Sequence, residues 1–227
     1  MDKKQGEARI HLISGHYGSG KTEFALNYAL YLRRRYPKVA IVDLDIVNLY
    51  FRSREYEDML NEHDIQLYGS SIKGTQVDIP ALAANIQTPL QDPACQVIVD
   101  LGGNPVGARV LGYYRDVLEG RNAELLFIVN RHRPETESLE LTEVFMQDIA
   151  RLARMPVSAL VNTTHLLKET SVEDVLYGQE LCEAIRDKYG IPIRYIACRS
   201  EICDKLPKDL DGEIFPLQIF MRADWML

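Results

Sequence analysis

Gly15-His16-Tyr17-Gly18-Ser19-Gly20-Lys21-Thr22 carries the most specific chemistry in this chain of 227 residues. The run fits G-x-x-x-x-G-K-[ST] without a mismatch. It also has the context that pattern needs, strand-like RIHLIS before it and helix-like KTEFALNYAL after it. Glycines at 15, 18 and 20 let the backbone wrap closely, so that the amides of this segment, His16, Tyr17 and Ser19 included, line a concave anion site. The N-terminus of the following helix adds its positive end. Lys21 then places a point charge on the β- and γ-phosphates of a nucleotide, and the Thr22 hydroxyl suits Mg²⁺. These glycines are spaced G-x-x-G-x-G rather than G-x-G-x-x-G, which argues against a nicotinamide or flavin dinucleotide.

Two acidic strand ends supply the remaining polar chemistry. Val97-Ile-Val-Asp100-Leu-Gly-Gly103 has the form of a Walker B element, with Asp100 holding Mg²⁺ and the backbone N–H of Gly102 or Gly103 sensing the γ-phosphate. In Ile41-Val-Asp43-Leu-Asp45, strand alternation puts both carboxylates on one face, where they repel unless a cation or solvent lies beside them. We assign Asp43 to the Mg²⁺ shell and Asp45 to orienting the attacking water.

The elements that must position these groups follow from the apolar pattern. Strands are expected at Arg9–Ser14, Val39–Asp45, Gln96–Leu101, Leu125–Asn130, Val157–Asn162 and Ile193–Cys198, with Ile65–Gly69 a weaker seventh. IVDLD, VIVDL and LLFIVN are apolar without strict alternation, which suits strands buried on both faces. Helices are expected at Lys21–Tyr36, Pro80–Gln91, Ala108–Leu118, Glu135–Arg154 and Val172–Tyr189. This alternation implies right-handed crossovers and an α/β fold: a mainly parallel sheet of about seven strands with helices on both faces. No linker or repeat divides the chain, so residues 1–227 are expected to form a single nucleotide-binding domain.

Composition sets outer bounds. With 46% hydrophobic and 26% charged residues the chain is of globular type, and its apolar runs are too short for a membrane-spanning helix. A net charge of −7 lowers the expectation of bulk binding to nucleic acid or anionic lipid. Four cysteines and no apolar leader point to reduced thiols and a cytoplasmic location. Cys198 and Cys203 are therefore plain thiols in this reading, and His11, His63 and His165 form no ligand spacing. Asn130-Arg-His-Arg-Pro134 follows a strand end and is more readily solvated loop charge than a phosphate or partner contact. The stretch Phe215–Leu227 has amphipathic spacing but few basic residues, so packing on the domain or a dimer contact is expected ahead of a membrane.

The loop GHYGSGKT, the early VDLD and the late VDLGG resemble the MinD/ParA group of P-loop ATPases. That group shares a wider class, called SIMIBI, with signal-recognition GTPases and cobyrinic-acid-synthase-type (CobQ/CobB) domains. Ile128-Val-Asn130 with Pro134-Glu135, and Ala159-Leu-Val-Asn162, also look like later strand ends of the group, so the likeness spans nearly the whole chain. The resemblance implies Mg-ATP binding, slow hydrolysis to ADP, and often a homodimer that sandwiches two nucleotides. It also places Asn162 at the base and the loop after Ile193–Ala197 near the purine.

His16 stands where that group carries a signature lysine that reaches the partner's phosphates, which puts the trans mechanism in doubt. Arg52, Arg54, Arg131 and Arg133 are alternative cations among which the sequence does not choose. Asn162-Thr-Thr-His165 has no acid where a guanine site of the N-K-x-D kind requires one, which favours ATP. The expected function is a slow, Mg-dependent ATPase acting as a nucleotide switch on an unidentified protein partner, with metallocentre or corrinoid-enzyme maturation or cofactor synthesis as its setting. A small-molecule kinase or ATP-dependent synthetase is the first rival, and a nucleotide-gated binding module with negligible turnover the second.

Overall fold

The computed structural model describes residues 8–44, 53–69, 86–103, 118 and 120–220. Eight strands form one sheet: β1 (Ile10–Gly15), β2 (Val39–Leu44), β3 (Ile65–Gly69), β4 (Gln96–Leu101), β5 (Ala123–Val129), β6 (Ala159–Asn162), β7 (Ile193–Arg199) and β8 (Glu213–Leu217). Their order is β3-β2-β4-β1-β5-β6-β7-β8, and every pairing is parallel. Seven of the strands lie where apolar runs predicted them. The eighth, Glu213–Leu217, extends the expected sheet at one edge, where Pro216 removes no ladder hydrogen bond that a central strand would need.

Helices cover both faces. On one, α1 (Lys21–Arg33) and α2 (Ser53–Glu62) pack against Ile13, Ile41, Ile98 and Ile128, with Phe24 fully buried. Removing that ring from water contributes roughly 2–3 kcal/mol. On the other, α3 (Leu139–Ala153) and α4 (Val172–Tyr189) bury Met146, Ile149, Leu181 and Ile185 against Leu12, Val99, Phe127 and Leu160. The expected helix over 135–154 is divided: a single 3-10 turn, Pro134–Thr136, precedes α3, whose N-cap Ser138 accepts from the Leu141 amide. Residues 86–91 are helical, as expected for the end of the second predicted helix, whereas the helix expected at Ala108–Leu118 lies outside the described residues apart from its last position. The short α5 (Ser200–Cys203) follows β7 directly.

The C-terminal stretch packs on the domain as far as it is described. Phe215 is buried, Gln218 exchanges two hydrogen bonds with Asn27 of α1, and the Phe220 amide donates to Glu23. Residues 221–227, Trp225 among them, lie outside the described residues.

The C-cap of α3, Arg154, is exposed and left-handed, with φ 53°. Such a backbone costs an L-residue about 1 kcal/mol that glycine avoids. Arg154→Gly is therefore expected to raise the urea midpoint, by up to about 1 kcal/mol in stability. A lowered midpoint would show that the arginine side chain contributes more than its backbone costs.

Candidate functional site

β1 lies near the middle of the sheet, with β4 on one side and β5 on the other. The chain runs from β1 into one half of the sheet and returns across it into the other, so the crevice beyond its C-terminal end is a topological switch point. The 15–22 loop occupies that crevice. Gly15 pairs with Ile128, and a Cβ on Gly15 would stand 2.5 Å from the Ile128 carbonyl oxygen, so the close approach of β1 and β5 admits only glycine. Gly18 and Gly20 have φ of 73° and 92°, the left-handed turns that bring the loop round into α1.

Lys21 is 7% exposed, and its Nζ donates to the His16 carbonyl at 2.9 Å, folding the ammonium across the loop. Gly103, from the turn after β4, closes the same space. A Cβ there would be 2.6 Å from the Tyr17 nitrogen and 2.8 Å from Lys21 Nζ. Asp43 and Asp100 are in register on neighbouring strands, on the face where α1 packs, with Asp100 buried and Asp43 half-buried. Thr22 lies in the first turn of α1 and lines the cavity described below. The structure thus brings Lys21, Thr22, Gly103, Asp43 and Asp100 to one end of the sheet. Asp45 lies outside the described residues.

A cavity of about 820 Å³ runs from His16–Glu23 past Arg133–Glu135 to the loops after β6 and β7. The segments that follow β6 and β7 contribute Thr163, Thr164, His165, Cys198 and Ser200 to its lining. Asn162, expected to read a base, is fully buried beneath those residues. Its Nδ2 donates to the Val175 carbonyl and to Gln179, and its Oδ1 accepts from the Thr164 amide, so it shapes the loop rather than lining the cavity. Gly178 of α4 makes this possible: a Cβ there would fall 1.9 Å from Thr164 Oγ1. His165 lines the cavity instead, its Nδ1 accepting from the Leu167 amide. The Thr163 hydroxyl donates to the Ser19 carbonyl at 2.6 Å, joining this loop to the phosphate loop.

His16 does not extend away from the domain as the signature lysine of the resembled group would. Its ring lies edge-on to Phe145 and its Nδ1 is 3.2 Å from Glu135. Arg131 is likewise committed, stacked 3.8 Å over Tyr177 and bonded to the Tyr177 carbonyl and Glu180. Arg133 alone of the two enters the cavity, and its Nε donates to the Gly18 carbonyl at 2.8 Å. Arg52 and the side chain of Arg54, the other two candidate cations, lie outside the described residues.

Cys198 and Cys203 are closer than the plain-thiol reading implied, with their sulfurs 2.9 Å apart. The hydrogen bond from Cys198 holds the Cys203 thiol below the usual range, whereas burial pushes Cys182 and Cys95 up. Brief alkylation with iodoacetamide at neutral pH is therefore expected to label Cys203 first and to spare Cys95 and Cys182. Mass-spectrometric mapping checks this, and equal labelling of all four would remove the assignment. Among the described residues, no group of three or more histidines, cysteines and acids is arranged to hold a metal ion, and no helix is long and apolar enough to cross a membrane.

Solved structures share this architecture. FtsY from the chloroplast of Physcomitrella patens superposes with a TM-score of 0.56 at 14% identity, over 85% of this chain and 59% of its own. FtsY from Mycoplasma mycoides gives 0.55 at 18% identity, over 85% and 60%. The signal recognition particle receptor FtsY from Elizabethkingia anophelis, in complex with GDP, gives 0.54 at 17%, over 86% and 58%. The chain has the P-loop NTPase fold. It spans about three-fifths of the length of these structures, which belong to the SIMIBI class, the wider class to which the sequence pointed. No protein-family model matches the chain, and no curated protein sequence does.

Proposed function

We propose that this chain binds Mg-ATP in the cavity beside the 15–22 loop and hydrolyses it slowly, as a nucleotide switch. The observation that carries the reading is the loop itself: an ammonium folded across a turn of glycines, at the switch point of a P-loop sheet. In this reading the loop amides and Lys21 grip the phosphate tail, with Gly103 close beside the same ammonium. Thr22, Asp43 and Asp100 are the residues that would hold Mg²⁺. A hydroxyl and two neighbouring carboxylates are the hard oxygen donors that ion prefers, and the in-register acids relieve their mutual repulsion beside a cation. When bound, the ion would offset charge on the phosphates. Asp45 is proposed to orient the attacking water.

The choice of adenine rests on His165. It stands at the fourth position of Asn162-Thr-Thr-His165, where a guanine site of the N-K-x-D kind requires an acid. GTP is the second reading, favoured by the GDP held in one structure of the same fold. Calorimetry on the full chain with Mg-ATP, Mg-GTP and either nucleotide plus EDTA tests both. Heat from ATP that weakens without Mg²⁺ supports the proposal, stronger binding of GTP replaces its base, and no heat from any triphosphate ends it. Whether the phosphoryl acceptor is water or a metabolite is read by whether inorganic phosphate accounts for all the ADP formed. A homodimer and a protein partner remain part of the proposal, checked by sedimentation with ATP against ADP.

A further inference from the structure

A P-loop that lacks the signature lysine still needs positive charge beyond Lys21 where the terminal phosphates lie. Arg133 is built to supply it. Pro134 disfavours the helical conformation at residue 133, whose backbone is accordingly extended, with φ −102° and ψ 135°. Both backbone groups are then pinned: the Arg133 amide donates to the Asn130 carbonyl and its carbonyl accepts from the Thr136 amide. Thr136 Oγ1 also donates to Asn130 O, and the His132 amide to Asn130 Oδ1, so the turn is braced on either side of the arginine.

From this anchored position the side chain crosses to the loop. Nε donates to Gly18 O at 2.8 Å, and a Cβ built on Gly18 would lie 3.3 Å from Nε and 3.7 Å from Nη2. The guanidinium therefore packs over the tip of the phosphate loop, where a side chain on Gly18 would press on Nε and would also strain a backbone of φ 73°. Among the described residues neither terminal nitrogen of Arg133 has a hydrogen-bond or ion-pair partner. The nearest acid of the same turn, Glu135, faces His16. The other lysine and arginine lining the cavity among the described residues, Lys168 and Arg199, belong to the loop after β6 and the end of β7, and Arg199 is paired with Glu201.

We propose that Arg133 is a catalytic residue, a guanidinium acting within its own chain, clipped to Gly18 by Nε so that its terminal nitrogens engage the terminal phosphates of the bound triphosphate. The proposal rests on the nucleotide reading above. In the step it assists, water adds to the γ-phosphorus and the bond from that phosphorus to the β–γ bridging oxygen breaks. The electron pair stays on the β-phosphate of ADP, and inorganic phosphate and a proton leave. Arg133 remains protonated throughout and offsets the charge that builds on the bridging and terminal oxygens.

The test uses the full chain with Arg133→Ala and Arg133→Lys. Single-turnover hydrolysis of Mg-ATP and affinities for ADP and ATPγS are measured, each at low and high protein concentration. Arg133→Ala is expected to slow hydrolysis about 10³-fold, the low end for arginine fingers, and lysine to restore little because it lacks the fork and the Nε clip. ADP affinity should change less than about threefold, since ADP lacks the terminal phosphate, while the preference for ATPγS over ADP is lost. The wild-type rate per chain should not depend on protein concentration. Unchanged hydrolysis in Arg133→Ala, equal loss of ADP and ATPγS, or a rate that climbs with concentration overturns the assignment and leaves the nucleotide site standing. If wild-type chain binds ATP without turnover, the ATPγS preference alone decides: retained in Arg133→Ala, it overturns the assignment, and lost, it supports it. A wild-type chain that binds no triphosphate overturns both.

Discussion

Lys21→Ala is expected to reduce nucleoside-triphosphate binding by at least about 100-fold while leaving the domain folded. The ammonium contributes two charge-assisted contacts to a phosphate tail, each typically worth about 1.5–3 kcal/mol. Among the described residues Arg131 and Arg133 do not take its place, because Arg131 is stacked on Tyr177 and Arg133 is held at the loop tip. The ammonium is also a compact point charge folded onto the His16 carbonyl, a geometry that a planar guanidinium on a longer stem does not reproduce. Lys21→Arg is accordingly expected to bind nucleotide nearly as poorly as the alanine variant. Structural cost should be small, because the apolar face of α1 (Phe24, Ala25, Tyr28 and Leu32) is untouched. Calorimetry beside a thermal melt separates the two effects. Wild-type affinity in a folded alanine variant would remove the lysine from the site.

The largest expected effect on stability lies at the opposite end of the sheet. Glu124, 6% exposed at the start of β5, accepts from His11 Nδ1 at 2.7 Å and pairs with Arg194. Burial acts to raise its carboxyl, but the hydrogen bond and charge of His11, with Arg194, outweigh that and hold it below the ordinary glutamate value. Glu124→Gln leaves a buried imidazole and a partly buried guanidinium facing a neutral amide. Breaking such a pair costs roughly 3–5 kcal/mol, and the low end applies because Arg194 can turn to water.

The sign with pH follows from the depressed value. The stabilisation is complete above the unfolded-chain value, 4.5, and is lost as pH falls through the lower folded-state value. Urea unfolding should therefore show a gap of about 3 kcal/mol between wild type and Glu124→Gln at pH 7 that narrows towards pH 3. A gap that stays constant over that range would show that shape, and not the carboxylate charge, is what the position supplies.

Much of the sheet was legible because its central strands are buried on both faces, so their sequences are mainly apolar runs: β4 begins and ends where the pattern put it, and the weaker signal of β3 reflects its place at the sheet edge. β8 was not, since EIFPL is an edge strand whose Pro216 argues against a sheet and whose exposure alternates. α2 escaped notice for a different reason. Its Tyr56, Met59 and Leu60 do repeat at helical spacing, but within a largely polar decapeptide.

At the site, the loop and Asp100 were readable because a local pattern specifies them. The partnership of Asp43 with Asp100 depends on β2 and β4 lying side by side, which no local spacing encodes. The choice of Arg133 over Arg131 turns on which side chain Tyr177 captures, and the committed role of Asn162 on an α4 glycine sixteen positions away in sequence. In each case the deciding neighbour is distant along the chain.

The Thr163 hydroxyl, bonded to Ser19 O, has an implication for how a ligand is assembled in the cleft. That stitch ties the segment that would meet a nucleoside to the segment that would meet its tail. Whichever half arrives first stiffens the seat of the other, so adenosine and tripolyphosphate added together should each bind more tightly than either does alone. Thr163→Val would cut that thread, and the two fragments would then bind as strangers.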